Sequence, residues 1–259
     1  MTQFQIPYSL AGRTALITGA SSGFGERFAR LYAAAGANVV FGARRLDRIE
    51  LLAAEIEAAG GRALAVPLDV TDEASVVAAF DAAESRFGAP DVVVANAGTS
   101  AAGRSTEVPL SGIRSVVDTN FTGLYLTARE GAKRMLAAGS KDNQRGRIIL
   151  LGSITAMMSG QGDTAYAALK AGVAHLGRQF AREWARSGIN VNTIQPGYIR
   201  TEIVGDWFDT EGGARQIAAW PRRRLTEIST LDDMMLYFAS DRSAQVTGAV
   251  MTLDDGQSL

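Results

Sequence analysis

The sequence predicts an α/β domain, doubly wound with helices on both faces of a parallel sheet. Three observations carry this. Short apolar runs alternate with amphipathic stretches of helical period along nearly all of the 259 residues, the pattern of parallel strands joined by right-handed crossovers. The runs are apolar throughout, as in Asp91-Val-Val-Val-Ala95, which suits strands covered on both faces. Gly19, Ala43, Asp69 and Asn96 fall at their carboxyl ends, where open sheets of this kind hold ligands.

Arg13-Thr-Ala-Leu-Ile-Thr18 is the first strand. Gly19-Ala-Ser-Ser-Gly-Phe-Gly25 follows it, and an alanine-rich helix then runs to about Ala35, before Gly36. Strand, glycine turn and helix in that order make a phosphate-binding device, because glycines let backbone amides approach the ligand and a helix N-terminus favours negative charge. The spacing, Gly-x-x-x-Gly-x-Gly, departs from the Gly-x-Gly-x-x-Gly dinucleotide fingerprint. Asn38-Val-Val-Phe-Gly-Ala43 is the second strand. An acidic residue at its end would bind the ribose hydroxyls of NAD. Here Ala43 is followed by Arg44 and Arg45, and a guanidinium grips phosphate in bidentate fashion. This favours NADP(H) over NAD(H). The alternative is that these arginines, with Arg48, are the solvated start of the next helix.

Residues 46–59 read as an amphipathic helix closed by Gly60-Gly61, and 63–68 as a third strand ending at Asp69-Val70. Thr71 is the expected cap of a helix over 72–87. After the fourth strand, 91–95, comes Asn96-Ala-Gly98. Residues 111 to about 138 read as one long helix containing Asn120, and Gly146-Arg-Ile-Ile-Leu-Leu151 as the fifth strand. A helix over 163–186 and a sixth strand over 189–195, ended by Pro196-Gly197, follow. Residues 202–224 read as irregular and carry Trp207, Phe208 and Trp220 between charged residues. Aromatics beside strand ends suit a substrate lid, or equally packing and subunit contact. A last helix over 231–239 and a last strand over 249–253 complete a single domain, 1–259.

Composition excludes several chemistries. There is no cysteine, so no disulfide, thiolate nucleophile or cysteine-ligated zinc. The one histidine, His175, rules out a multi-histidine metal site, and no metal is expected. A formal net charge of −1 gives no field to draw nucleic acid or an anionic membrane. No apolar run approaches a membrane span, and the first ten residues lack a secretory pattern, so a cytoplasmic protein is expected.

The stretch from Ser153 to Lys170 carries the chemistry. Tyr166 and Lys170 are four apart, so on a helix they share one face. A tyrosine ionises near 10, and a fixed ammonium beside it favours the phenolate; bringing it to neutrality takes about 4 kcal/mol of differential interaction. Such a tyrosine can exchange a proton at ordinary pH. Ser153, in a strand-to-helix loop, is placed to hydrogen-bond a substrate oxygen. His175, half a turn round the helix from Tyr166, should face away.

Together these residues resemble the short-chain dehydrogenase/reductase family over almost the whole chain. Thr18-Gly-Ala-Ser-Ser-Gly-Phe-Gly25 is similar to its cofactor motif, and Asn96-Ala-Gly98 to its Asn-Asn-Ala-Gly segment, with Ala95 in place of the first asparagine. Asn120, Ser153, Tyr166 and Lys170 match its catalytic four in order and spacing. Pro196-Gly-Tyr-Ile-Arg-Thr201 resembles the segment at the nicotinamide end, and Leu253-Asp-Asp-Gly256 its C-terminal turn, with Asp255 where the family has glycine. The resemblance implies a seven-stranded Rossmann-type sheet, a nicotinamide cofactor and a homodimer or homotetramer. It also implies roles. Tyr166 passes the proton, Lys170 lowers the tyrosine's pKa and binds the nicotinamide ribose, Ser153 holds the substrate oxygen, and Asn120 anchors a water. Gly19, Ser21, Ser22, Gly23 and Phe24 surround the phosphates and ribose, and Arg44 and Arg45 meet the 2′-phosphate. Asp69 and Val70 contact adenine, and Asn96, Ala97 and Gly98 the ribose. Pro196, Gly197, Ile199 and Thr201 hold the carboxamide end.

The expected reaction is reversible hydride transfer between NADP(H) and a ketone or secondary alcohol, a small molecule. The substrate pocket is expected along 100–104, 154–161 and 198–220, where Met157, Met158, Trp207, Phe208 and Trp220 suggest an apolar or bulky substrate. The nearest rival is a reductase of carrier-bound 3-oxoacyl thioesters. A non-catalytic dinucleotide sensor would not need Ser153, Tyr166 and Lys170 together, and a serine hydrolase would need a Gly-x-Ser-x-Gly elbow that Gly-Ser153-Ile-Thr does not provide.

Overall fold

In the computed structural model, which describes residues 8–160 and 162–259, the glycine turn lies where two halves of one sheet diverge. The first half comprises β1 (Thr14–Thr18), α1 (Gly23–Ala34), β2 (Asn38–Ala43), α2 (Leu46–Ala58), β3 (Arg62–Pro67) and α3 (Glu73–Phe87). The second begins with β4 (Val92–Ala95), α4 (Leu110–Val117), α5 (Leu124–Ala137), the short α6 (Ser140–Asn143) and β5 (Gly146–Leu151). It continues through α7 (Thr164–Trp184), β6 (Ile189–Pro196), α8 (Glu211–Ala219), α9 (Asp232–Ala239) and β7 (Val250–Leu253). The seven strands lie in the order β3-β2-β1-β4-β5-β6-β7, and every pairing is parallel. Strand order therefore reverses between β1 and β4, and the crevice that opens at such a point is where doubly wound folds bind ligands.

The pleat sends alternate residues to opposite cores. Ala15 and Ile17 of β1, Val92 and Val94 of β4, and Ile149 and Leu151 of β5 pack on the side of α1, α2 and α9. Leu16, Val93, Ala95, Ile148 and Leu150 pack on the side of α3, α5 and α7. Leu16 pairs in register with Val40 on one side and Val93 on the other, and burying such a side chain contributes about 1.5–3 kcal/mol. This double covering is why the strands carry no polar alternation.

At the amino ends of the strands, away from the crevice, Arg13 and Arg147 are buried. Arg13 donates to the Arg145 carbonyl at 2.8 Å and pairs with Asp91 at 3.4 Å and with Asp241. Arg147 donates to the carbonyls of Gln144, Gly146 and Ser240, and desolvation pushes its guanidinium down to about 10.

Three expectations need correction. Asp72, not Thr71, caps α3: its carboxylate accepts from the Ala74 amide at 3.0 Å, while Thr71 gives both its donors to Asp69. Residues 111–138 are not one α-helix. A π-helical segment, Asp118–Gly123, separates α4 from α5 and contains Asn120. Apolar periodicity does not register such an insertion, because the helix axis continues through it. Residues 202–224 are not irregular, since they hold a 3₁₀ turn, Trp207–Asp209, and then α8. Thr210 caps α8 by accepting from the Gly213 amide at 3.1 Å. Asp255, which stands for glycine in the last turn, adopts φ 55° and pairs with Arg222 and Arg224. The first seven residues, read for a targeting signal, and Gln161, expected in the substrate pocket, lie outside the described residues.

Candidate active site

The glycine turn is shaped by its neighbours. Gly19 sits at φ 71° and so close to the β4 loop that a Cβ would stand 2.7 Å from the Ala97 Cα; only glycine fits. The Thr18 hydroxyl accepts from the Asn96 and Ala97 amides, each at 3.1 Å. The Asn96 side chain donates to the carbonyls of Thr18 at 2.8 Å and Gly19 at 3.2 Å. Ser22, at the head of α1, places no side-chain cap on the helix. The first-turn amides of α1 are thus left for an anion, which is the arrangement a pyrophosphate requires.

From this turn an open cleft of about 590 Å³ runs along the carboxyl ends of the strands, within the range of small-molecule sites. Arg44, Asp69 and Val70 line one end, Ser21 to Phe24 and Asn96 to Gly98 the middle, and Tyr166, Lys170 and Thr201 the other. Thr71 hydrogen bonds, and then the charge of Arg44, hold the Asp69 carboxyl below its usual value. A glycine turn, an uncapped helix head and an elongated cleft ending at paired Tyr and Lys side chains fit a dinucleotide.

The reactive groups meet as α7 dictates. Tyr166 and Lys170 lie on one face, with the Lys170 Nζ 5.4 Å from the centre of the Tyr166 ring. The ammonium is buried and donates to the Leu151 carbonyl at 2.7 Å, so the end of β5 fixes its position. Desolvation pushes it down to about 8. Tyr166 shares a hydrogen bond with the Ser153 side chain, and Ser153 also accepts from the Thr155 amide at 3.2 Å. Here a correction is due. The phenol does not move down toward neutrality; burial pushes it up to about 12, against the smaller opposing effect of the Ser153 hydrogen bond. Lys170 stands over the ring face and donates to the Leu151 carbonyl. Asp163, the residue before α7, bonds the Ser100 hydroxyl at 3.3 Å, and its charge adds to the upward push on Tyr166.

Two implied roles take a different form. Asn120 is fully buried; its side-chain oxygen accepts from the Thr99 amide at 2.7 Å and its nitrogen donates to the Thr99 carbonyl at 2.8 Å. Its side chain therefore braces the β4 loop. The Asn96 amide nitrogen is likewise committed to the glycine turn. Pro196 and Gly197 turn against β7, the Gly197 amide donating to the Leu253 carbonyl at 2.9 Å, and Ile199 is buried in the core. Of that segment, Thr201 reaches the cleft.

Phe208 and Trp220 do not offer an apolar wall. They are buried against Tyr198, with Trp220 stacked on it at 5.4 Å and Phe208 edge-on at 5.6 Å. Trp207 is exposed and donates to Gln216 at 2.7 Å, and Met157 is exposed. Sequence reading missed Leu68, Thr99, Thr119, Leu151 and Gly152 as cleft residues. Glu202 and Ile203, which fall in the segment 198–220 expected to line the substrate pocket, line this cleft. His175 is exposed, beside Gln179.

Fold and site together define an oxidoreductase built around a nicotinamide dinucleotide. Residues 13–212 match the short chain dehydrogenase family model, and the chain belongs to that family. It is 38% identical over 251 residues to the cis-4-hydroxycyclohexanecarboxylate dehydrogenase of Sinomonas cyclohexanicum, covering 96% of this chain and 97% of that one. A crystal structure of a short-chain type dehydrogenase/reductase from Mycobacterium marinum superposes with a TM-score of 0.91 at 36% identity, covering 96% and 97% of the two chains. A gluconate 5-dehydrogenase from Burkholderia cenocepacia, in complex with NADP and tartrate, superposes with a TM-score of 0.90 at 30% identity, covering 97% of each. Among the described residues no metal-binding cluster occurs, and no helix is long and apolar enough to cross a membrane.

Proposed function

We propose that this protein interconverts a secondary alcohol and a ketone, with NADP(H) favoured over NAD(H). The observation that carries the reading is the meeting of Ser153, Tyr166 and Lys170 at one end of the cleft that begins at the glycine turn. Gly19, Ser21, Ser22, Gly23 and Phe24 would hold the pyrophosphate, Arg44 the 2′-phosphate, Asp69 and Val70 the adenine, and Lys170 and Thr201 the nicotinamide half. When bound, the dinucleotide supplies or accepts the hydride at the substrate carbon.

In the reducing direction negative charge grows on the substrate oxygen. The Ser153 hydroxyl donates to that oxygen, and the Tyr166 Oη gives it a proton; both act where charge develops. With its phenol at about 12, Tyr166 is fully protonated at neutral pH and ready as the acid. The Lys170 charge, still largely present at pH 7 with its ammonium at about 8, stabilises the phenolate left behind. In the oxidising direction the same phenolate accepts the alcohol proton.

The substrate is expected to have an apolar body, touching Met157 and Met158, and a polar group facing Ser100, Asp163 and Tyr198. Two of the relatives named above, the cis-4-hydroxycyclohexanecarboxylate dehydrogenase and the gluconate 5-dehydrogenase, carry substrate classes compatible with this in their names, a hydroxylated ring acid and a sugar acid. The segment 202–224 serves as a lid. Exposed Leu110, Val117 and Tyr125 on α4 and α5 support a homodimer or homotetramer.

The test is Tyr166→Phe. It should lower kcat by at least about 100-fold, the range for a lost general acid, while dinucleotide affinity stays near wild type. Full turnover in this variant would overturn the mechanism. Comparing kcat/KM for NADPH and NADH tests the cofactor preference, and a panel of free ketones against a carrier thioester tests the substrate class.

A further inference from the structure

The rim of the cleft carries a carboxylate among its arginines. Arg45, the residue before α2, donates from Nε to the Ser21 hydroxyl at 3.0 Å, from Nη2 to the Ser22 hydroxyl at 2.9 Å and from Nη1 to Glu202 Oε2 at 2.8 Å. Arg48 donates to the other oxygen, Glu202 Oε1, at 2.5 Å. Glu202 is thus gripped on both oxygens by two guanidiniums, and these contacts hold its carboxyl at about 2, so it is ionised at any working pH. It follows Thr201, which lies against Gly23, and it reaches 157 positions back along the chain. The ion pair therefore ties the segment after β6 to the turn after β2, across the glycine loop. Arg44 makes no hydrogen bond or ion pair among the described residues; it faces Asp69 through space.

Arg44, Arg45 and Arg48 face Glu202 and Asp69 at this rim, and Asp47 and Glu26 also act on Arg48 through space, so the rim's guanidiniums are already largely matched by carboxylates. A terminal phosphate brings −1.5 to −2 charges. Arg45, which the sequence offers as a phosphate ligand, has all three of its guanidinium nitrogens engaged by Ser21, Ser22 and Glu202. We propose that Glu202 is a specificity-determining residue for the cofactor: it occupies Arg45 and Arg48 and weakens the cleft's grip on a 2′-phosphate, leaving Arg44 as the main contact to that group. An adenosine carrying only ribose hydroxyls at that position gains nothing from freeing the two arginines and is indifferent to Glu202. This inference rests on the reading that the Arg44 end of the cleft takes the adenosine half of the cofactor.

The experiment measures, by calorimetry on the full chain, binding of adenosine 2′,5′-bisphosphate and of AMP, which differ by the 2′-phosphate and carry no nicotinamide. Glu202→Gln keeps shape and removes charge; it should tighten the bisphosphate several-fold more than AMP, because the 5′-phosphate is common to both and only the bisphosphate brings a 2′-phosphate to the freed arginines. Glu202→Lys should go further in the same direction. The gain should collapse near 1 M salt, where screening reaches about 3 Å. Unchanged or weaker bisphosphate binding in Glu202→Gln, or an equal shift for both ligands, overturns the proposal. The cofactor reading is scored separately, in the wild type. If wild type does not separate the two ligands while Glu202→Gln does, the NADP preference falls and the role of Glu202 stands. If wild type prefers the bisphosphate and the variant does not change that, the role of Glu202 falls alone.

Discussion

Lys170 is buried and donates to the Leu151 carbonyl, and this sets its behaviour with pH. Burial lowers its ammonium from 10.5 to about 8. In the unfolded chain it holds its proton up to its ordinary value, so between about 8 and 10.5 the unfolded state binds more protons and this group's contribution to stability rises with pH. Catalysis runs the other way. The charge that stabilises the Tyr166 phenolate disappears above about 8, so kcat/KM for reduction should fall there. Lys170→Met should lower the rate throughout and remove that limb of the profile. A pH–rate profile of wild type and variant checks this, and a descending limb that survives in Lys170→Met would assign it to another group.

At the level of elements, the π segment between α4 and α5 gives Asn120 its place. It carries the asparagine to Thr99, where one side chain satisfies both the amide and the carbonyl of a loop residue. The neighbouring Gly123 backs onto Val70, where a Cβ would lie 2.6 Å from Val70 Cγ2, so the same segment also presses on the loop after β3. Asn120→Ala would leave two backbone groups of Thr99 without that partner; because Thr99 is only partly buried and lines the cleft, the cost should sit near the low end of the about 1–3 kcal/mol of a buried group left unsatisfied. The expected outcome is a lower urea midpoint with the slope preserved, together with weaker dinucleotide binding because Thr99 lines the cleft. An unchanged midpoint would mean that water replaces the amide without cost.

Over the whole molecule, the crevice and the arginine cluster occupy opposite ends of the same strands. Arg13 precedes β1, Asp91 precedes β4 and Arg147 lies in β5, so the cluster ties together the strands that flank the reversal of strand order, on the side away from the chemistry. Asp91 is half-buried, and desolvation raises its carboxyl despite the attraction of Arg13. Arg13→Met leaves that carboxylate with Arg145 as its remaining ion-pair partner. Removing one member of a buried pair costs about 3–5 kcal/mol, and the loss here should approach the lower figure. Chemical denaturation measures it, and kcat should stay close to wild type because the site lies at the other end of the sheet.

Much of this protein is legible along the chain. Apolar runs and their glycine breaks place each strand within a residue or two, and Asn38–Ala43 and Gly146–Leu151 coincide with their predicted limits, because a strand covered on both faces must be apolar at every position. The Tyr166–Lys170 face follows from helix geometry alone. The tertiary structure decided what distant partners do to those groups. Desolvation turned the expected fall of the Tyr166 pKa into a rise, Thr99 claimed the side chain of Asn120, and Tyr198 drew in Phe208 and Trp220. Glu202 reached Arg45 across 157 positions. Local sequence carries backbone preference and periodicity. Burial, and the choice of hydrogen-bond partner among groups far apart in the chain, exist only once the sheet has brought its strand ends together.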